Sequence, residues 1–188
     1  MDAISALHNR ISVNLLDSPA PTKDQLDNIF KAGLRACDHK NLRPWKFLLI
    51  QGDARHAFGK LMASVKEKSS PAGECSEELK TKLLSKPLRA PTIITVVADI
   101  KVHDKVPEIE QILSAGAAAQ MMMTAAFAQG LGAIWRSGSM MFETTMQEGL
   151  GLTKDQKIIG FLYIGQIKAC KKVPDLKVSD FVEVWGSN

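Results

Sequence analysis

ILSAGAAAQMMMTAAFAQGLGAIW, residues 112–135, is the longest apolar run of the chain, and how it is read decides the fold. Its length invites a membrane reading, because a spanning helix needs about 20 apolar residues. The polar positions argue otherwise. Gln111, Ser114, Gln120, Thr124 and Gln129 interrupt or border the run, no Lys/Arg belt flanks its N-terminal end, and Gly130-Leu131-Gly132 stops the helix ahead of a short strand. The run is therefore expected to be the central core helix of a globular protein, with no membrane involved. Residues 115–119 and 125–128 are mostly small, so a second backbone can approach closely, which also makes this helix a candidate subunit interface. Met121, Met122 and Met123 read as gap-filling side chains rather than a metal site.

Working outward, residues 157–166 (KIIGFLYIGQ) read as a buried strand after a short helix at 142–150. Residues 91–98 (PTIITVVA) form a β-branched run that suits a strand buried on both faces. Residues 45–51 (WKFLLIQ) are a third strand, and Gly52-Asp53 opens a helix with Ala57, Phe58, Leu61, Met62 and Val65 at helical spacing. Thr22, followed by Asp24 and Gln25, caps a helix running to about residue 36, with Leu26, Ile29, Phe30, Gly33 and Leu34 on one face. A short helix covers residues 3–9. The order is α-α-β-α-β-α-β-α-β, without a clean βαβ alternation at its start, so α+β is the expected class, as one domain over residues 1–188. Residues 68–86, with Ser69-Ser70-Pro71, Gly73 and a charged run, read as a mobile excursion that admits a helix at 77–84. The tail at 168–188 is polar until Phe181, Val182, Val184 and Trp185, a pattern suited to strapping onto another surface.

Composition agrees with a globular chain: of 188 residues, 45% are hydrophobic and 23% charged. A chain of this size buries roughly 70% of its unfolded surface without help from a metal or disulfide. Cys37, Cys75 and Cys170 are odd in number and scattered, which encodes neither a disulfide framework nor a zinc site and favours a reducing, cytoplasmic setting. The N-terminal MDAISALHNRISVN has no signal-peptide pattern. The net charge of +4 comes largely from residues 60–89, where lysines are interleaved with acids. With no helix-turn-helix or RNP-type pattern beside it, that surplus reads as a solvated surface, and no nucleic acid is expected as a partner.

Nucleotide and hydrolase signatures are absent. Gly130-Leu131-Gly132 lacks the third glycine of a dinucleotide fingerprint and follows a helix, and there is no GxxxxGK[ST], HExxH, GxSxG or paired-carboxylate signal. Cys37 and His39 are near in sequence, which does not make them a catalytic pair. What remains is a set of phosphate-capable groups at element ends. Arg10 and Ser12 can face one phosphate if the chain there is extended, although an arginine in a last helical turn also complements the macrodipole by itself. Trp135-Arg136-Ser137-Gly138 puts a cation, a hydroxyl and a flexible backbone at a strand end, where ligands commonly sit. Arg35 and His39 form a third set across the end of the second helix, and His39 by itself reads more readily as a surface or hydrogen-bonded histidine.

Taken together, these segments resemble a known family. Asn9-Arg10-Ile11-Ser12 resembles the N-terminal Arg-x-Ser motif of the flavin-dependent nitroreductases, and residues 36–47 (ACDHKNLRPWKF) resemble the family's loop ending in Pro-Trp. Residues 126–132 with Trp135-Arg136-Ser137-Gly138, and then residues 160–165, are similar to its central helix and late strand, in a small bacterial subgroup. The resemblance implies an α+β, nitroreductase-like fold with a central mixed sheet flanked by helices. It also implies a homodimer with FMN in two interfacial clefts and NAD(P)H as electron donor. Arg10, Ile11 and Ser12 would hold the flavin from one subunit, Arg35 and His39 would approach from the other, and Trp135, Arg136 and Ser137 would complete the phosphate end. Hydride would pass from the nicotinamide to flavin N5 and on to a nitroaromatic, quinone or similar acceptor, with no catalytic side chain required. Asn14 stands near the flavin ring where many relatives carry lysine, and Ile11 where the subgroup commonly has a second arginine. Gln129 and Gly130 fall where the family's nicotinamide nucleotide is sometimes placed. Asn14 and the missing catalytic side chain also leave open a flavin-binding or flavin-storing module with little turnover.

Overall fold

Among the residues that the computed structural model describes, 1–71 and 75–186, six α-helices and five strands follow one another. They are α1 (Ala3–Asn9), β1 (Leu15–Asp17), α2 (Lys23–Gly33), β2 (Trp45–Gln51), α3 (Ala54–Ser69), α4 (Glu77–Ser85), β3 (Thr92–Asp99), α5 (Glu108–Ala128), β4 (Leu131–Arg136), α6 (Thr144–Gly149) and β5 (Gln156–Ala169). Gly73 of the expected excursion, and Ser187 and Asn188 of the tail, lie outside the described residues. Much of the rest of that excursion is helix, α3 running to Ser69 and α4 following from Glu77.

The sheet is built around β5. Ile164 pairs with Thr92 of β3 and with Ala133 of β4, so these strands occupy opposite edges of β5. Gln166 pairs with Asp17 of β1 and Leu131 of β4, so β1 continues the β3 edge beyond the start of β3. β2 pairs with β3 on the outside. The α+β class holds, and one detail is corrected: every strand pair among the described residues is antiparallel, so the sheet is not mixed in polarity. The reason lies in the connections, which return each strand beside its partner in the opposite sense.

β3 is buried on both faces as its β-branched run implies: Ile93 and Val97 enter one core, Ile94 and Val96 the other, all 0% exposed. The first core joins Phe58, Met62 and Val65 of α3 to Leu83 of α4 and Met146 of α6. The second joins Ile29 of α2 to Ala119, Met122, Met123 and Ala126 of α5. The alanines let α5 lie close to the sheet, and the methionines fill the remaining space. No helix among the described residues is long and apolar enough to cross a membrane. Buried Gln111 fits because it is fully used, accepting from Lys101 N and donating to Lys101 O, both at 2.8 Å. At its far end α5 stops at Gly130, whose φ of 80° is the left-handed conformation that closes a helix.

α2 begins with a capping box, Thr22 and Gln25 bonding each other's backbone N–H, and ends at Gly33, short of the expected residue 36. β1 went unseen in the sequence because a three-residue LLD with two exposed positions has no period to read. It explains why β5 runs on to Ala169: Leu15–Asp17 pairs with its last turns of chain.

Candidate functional site

β4 runs up the sheet and ends at Arg136, and the chain then turns through Ser137 and Gly138 over a cleft of about 520 Å³. That volume is in the range of small-molecule sites. Met62, Leu83, Phe161 and Tyr163 from the first core make its floor, and Lys66, Lys86, Arg89 and Arg136 its charged walls. No carboxylate lines it among the described residues.

The strand end is held by a specific device. Val96 pairs with Gly160 and Val97 with Ile158, which leaves Ile159 as a bulge without a partner on β3. Trp135 Nε1 donates to the Ile159 carbonyl at 3.2 Å. The indole lies against Gly160 so closely that a Cβ there would overlap it, so only glycine fits. Trp135 thus positions the end of β4 and makes a cleft wall at the same time. Arg136 next to it stacks its guanidinium 5.4 Å from the centre of the Tyr163 ring. Its Nε is buried and has no hydrogen-bond partner among the described residues. Burial pushes the Tyr163 hydroxyl up in pKa, against the opposite pull of Arg136 and Arg89. Burial likewise pulls the Lys86 ammonium below its usual value, and the charges of Arg89, Lys82 and Arg136 add to the effect.

Arg10 caps the C-terminus of α1 with its N–H bonded to Ala6 O, and its own conformation is extended. Its Nη1 is a second buried guanidinium atom without a partner among the described residues. Ile11 is half-buried and Ser12 exposed, and Val13 N donates to Ala133 O at 2.9 Å, tying this segment to the strand that ends at Arg136. Asn14 is exposed just beyond it. Arg10 to Asn14 do not line the cleft itself.

Arg35, exposed after the end of α2, and His39, which opens a 3-10 turn at His39–Asn41, also lie away from the cleft within one chain. His39 Nδ1 is 2.7 Å from Glu110 Oε2, which anchors the loop to the first turn of α5. Gln129 is occupied differently: its amide donates to Gln25 O and Ala125 O and accepts from Asn28 Nδ2, lacing α2 to α5. Helix closure accounts for Gly130. The structure thus brings Trp135, Arg136 and Ser137 together in one cleft and leaves Arg35 and His39 outside it.

Lys66, Lys86, Arg89 and Tyr163 are cleft residues that the sequence reading missed. The lysine-rich surplus of residues 60–89 was expected to be solvated surface; three of its cations instead line the cleft, a correction that follows from α3 and the turn after α4 packing beside β4. A signal existed for one of them. Lys66 follows Met62 at i+4, so it sits on the buried stripe of α3.

Comparison with known proteins bears on the family and the fold. Residues 7–166 match the model of the Nitroreductase family. YdjA of Escherichia coli strain K12 is 43% identical over 184 residues, covering 98% of this chain and 94% of its own. A relative from Haemophilus influenzae is 36% identical over 186 residues, covering 97% and 98%. Both names propose an NAD(P)H nitroreductase. Among solved structures, a nitroreductase-like family protein from Bacillus cereus superposes with a TM-score of 0.85 at 24% identity, over 100% of this chain and 97% of its own. NfnB of a Sphigopyxis strain, described as an FMN and NADPH-dependent nitroreductase, gives 0.78 at 18% identity over the whole of both chains. With the family match spanning most of the sequence and the fold shared over its full length, this chain belongs to the nitroreductase family.

Proposed function

We propose that the protein is a homodimeric, FMN-dependent NAD(P)H oxidoreductase of the nitroreductase type. The observation that carries this reading is the pair of buried guanidinium atoms without partners among the described residues, Arg10 Nη1 and Arg136 Nε. A buried polar group left unpaired costs about 1–3 kcal/mol, more when charged, and the oxygens of a phosphate dianion supply the missing acceptors. The cleft beside Arg136, free of carboxylates among the described residues, fits such a group.

In this reading Arg10 and Ser12 bind the flavin from the N-terminal segment while Ile11 packs beside them. Arg136 and Ser137 bind its phosphate end, and Trp135 fixes where they stand. Asn14 donates a hydrogen bond to the ring without supplying charge. Arg35 and His39 of the partner subunit close the far side, His39 being oriented by its own Glu110. The chemistry such a cofactor supplies when bound is two-electron transfer from a reduced nicotinamide to an electron-poor acceptor such as a nitroaromatic or quinone. The protein contributes placement, charge and exclusion of water. With Gln129 engaged in lacing the helices, the nicotinamide donor is proposed to enter at the cleft instead of at Gln129 and Gly130.

Dimerisation is supported by exposed apolar surface. Ile109 and Leu113 stand 58% and 64% exposed on α5, flanking Glu110, and Phe181, Val184 and Trp185 are exposed along the tail. The tail is proposed to cross onto the partner. The decisive experiment is the visible spectrum of the pure protein before and after anaerobic NADPH. Flavin bands that bleach are expected. A colourless protein that takes up no FMN refutes the reading, and bands that do not bleach indicate a flavin-binding module without turnover.

A further inference from the structure

We infer that Lys66, Lys86 and Arg89 form an anion-selective wall, and that the preferred electron acceptor is an aromatic ring carrying a carboxylate or sulfonate. The inference deepens the proposed function and rests on it for the reaction. Of the cations assigned to the cofactor, Arg136 lines the cleft and Arg10 lies outside it, which leaves three cleft cations without an assigned role. They arrive from two elements, Lys66 from α3 and Lys86 and Arg89 from the turn after α4, and converge on one volume.

None of the three has an ion-pair or hydrogen-bond partner for its side chain among the described residues, although carboxylates are close at hand in sequence. Glu67, next to Lys66, instead pairs with Lys80, which does not line the cleft. Gathering like charges in a partly desolvated site is unfavourable unless an anion visits it, and the lowered pKa of Lys86 reflects that strain from burial and its neighbours. The lining meets the other half of the ligand: Ile134, Trp135 and Met140, all partly exposed, offer apolar and aromatic contact for a ring. Backbone packing keeps the wall in place. Gly59 of α3 lies so close to the Leu84 carbonyl that a Cβ would sit 2.5 Å from it, which locks the two cation-bearing elements together.

No new reaction step is involved. For a nitro acceptor, NADPH and a proton convert the nitro group to nitroso with release of water and NADP⁺, and the wall acts only on which ring binds.

The test compares para-nitrobenzoate with its neutral methyl ester on the FMN-loaded protein, in the wild type and in Lys66→Gln, Arg89→Gln and the double variant. In the double variant, kcat/KM for the benzoate is expected to fall at least about tenfold, mainly through KM, while the ester stays within about twofold. Visible flavin content should not change, and added salt should erode the wild type's preference for the benzoate but not the variant's. Equal losses with both acceptors, or no loss with either, overturn the inference. So does an effect confined to reduction by NADPH and absent with NADH, which would assign the wall to the donor's 2′-phosphate. If the pure protein carries no flavin, the proposed function itself fails. Calorimetric binding of para-nitrobenzoate, expected for the wild type and lost in the double variant, then decides the wall separately, and equal or absent binding in both overturns it.

Discussion

Arg136 shows how much one side chain can be asked to do: it ends a strand, stacks on Tyr163 and leaves a buried nitrogen waiting for an acceptor. Arg136→Met is expected to weaken FMN binding at least about tenfold, about 1.4 kcal/mol, in a fluorescence titration. Without cofactor its melting temperature should not fall, because an unpaired charged group has been removed. Trp135→Phe keeps the ring but deletes the donor to Ile159 O, and should cost about 1 kcal/mol in denaturant unfolding. At Asn14, Asn14→Lys should raise the flavin reduction potential in a spectroelectrochemical titration, since a cation favours the anionic reduced ring. Arg136 and Ser137 could be picked out in the sequence as cleft residues because they sit at a strand end beside a recognisable segment. Lys66, Lys86 and Arg89 could not, because residues far apart along the chain meet only when α3 and α4 pack beside β4.

At the scale of elements, the bounds of β2, those of β3 to within one residue and the C-terminal end of α5 followed from composition and end signals, whereas the start of α5 at Glu108, ahead of the apolar run, did not. Ile94→Ala, at the centre of β3 and fully buried, is expected to cost about 2–5 kcal/mol in the same unfolding assay. Gly59→Ala forces α3 away from the Leu84 carbonyl, a backbone atom that cannot rotate aside. It should lower stability by about 1–3 kcal/mol. β1 and the bulge at Ile159 escaped the sequence because neither has a local pattern. The first is defined only by its pairing with β5 and the second only by a register shift against β3.

For the whole molecule, the exposed apolar face of α5 and the apolar tail make the same prediction by independent routes. Leu113→Arg, and separately removal of residues 170–188, should each shift the protein from dimer toward monomer in sedimentation equilibrium, and FMN content should fall with it if Arg35 and His39 act across the interface. What the sequence determined by itself was the class of fold, most element positions and the family, because these rest on local periodicity, on end signals and on ordered motifs. Only the tertiary structure decided that the sheet is antiparallel throughout, that Gln129 laces two helices, and that three surplus cations line the cleft. Strand polarity, long-range hydrogen bonds and the convergence of like charges depend on which distant segments meet, and hydrophobic patterning says which face is buried without saying against what.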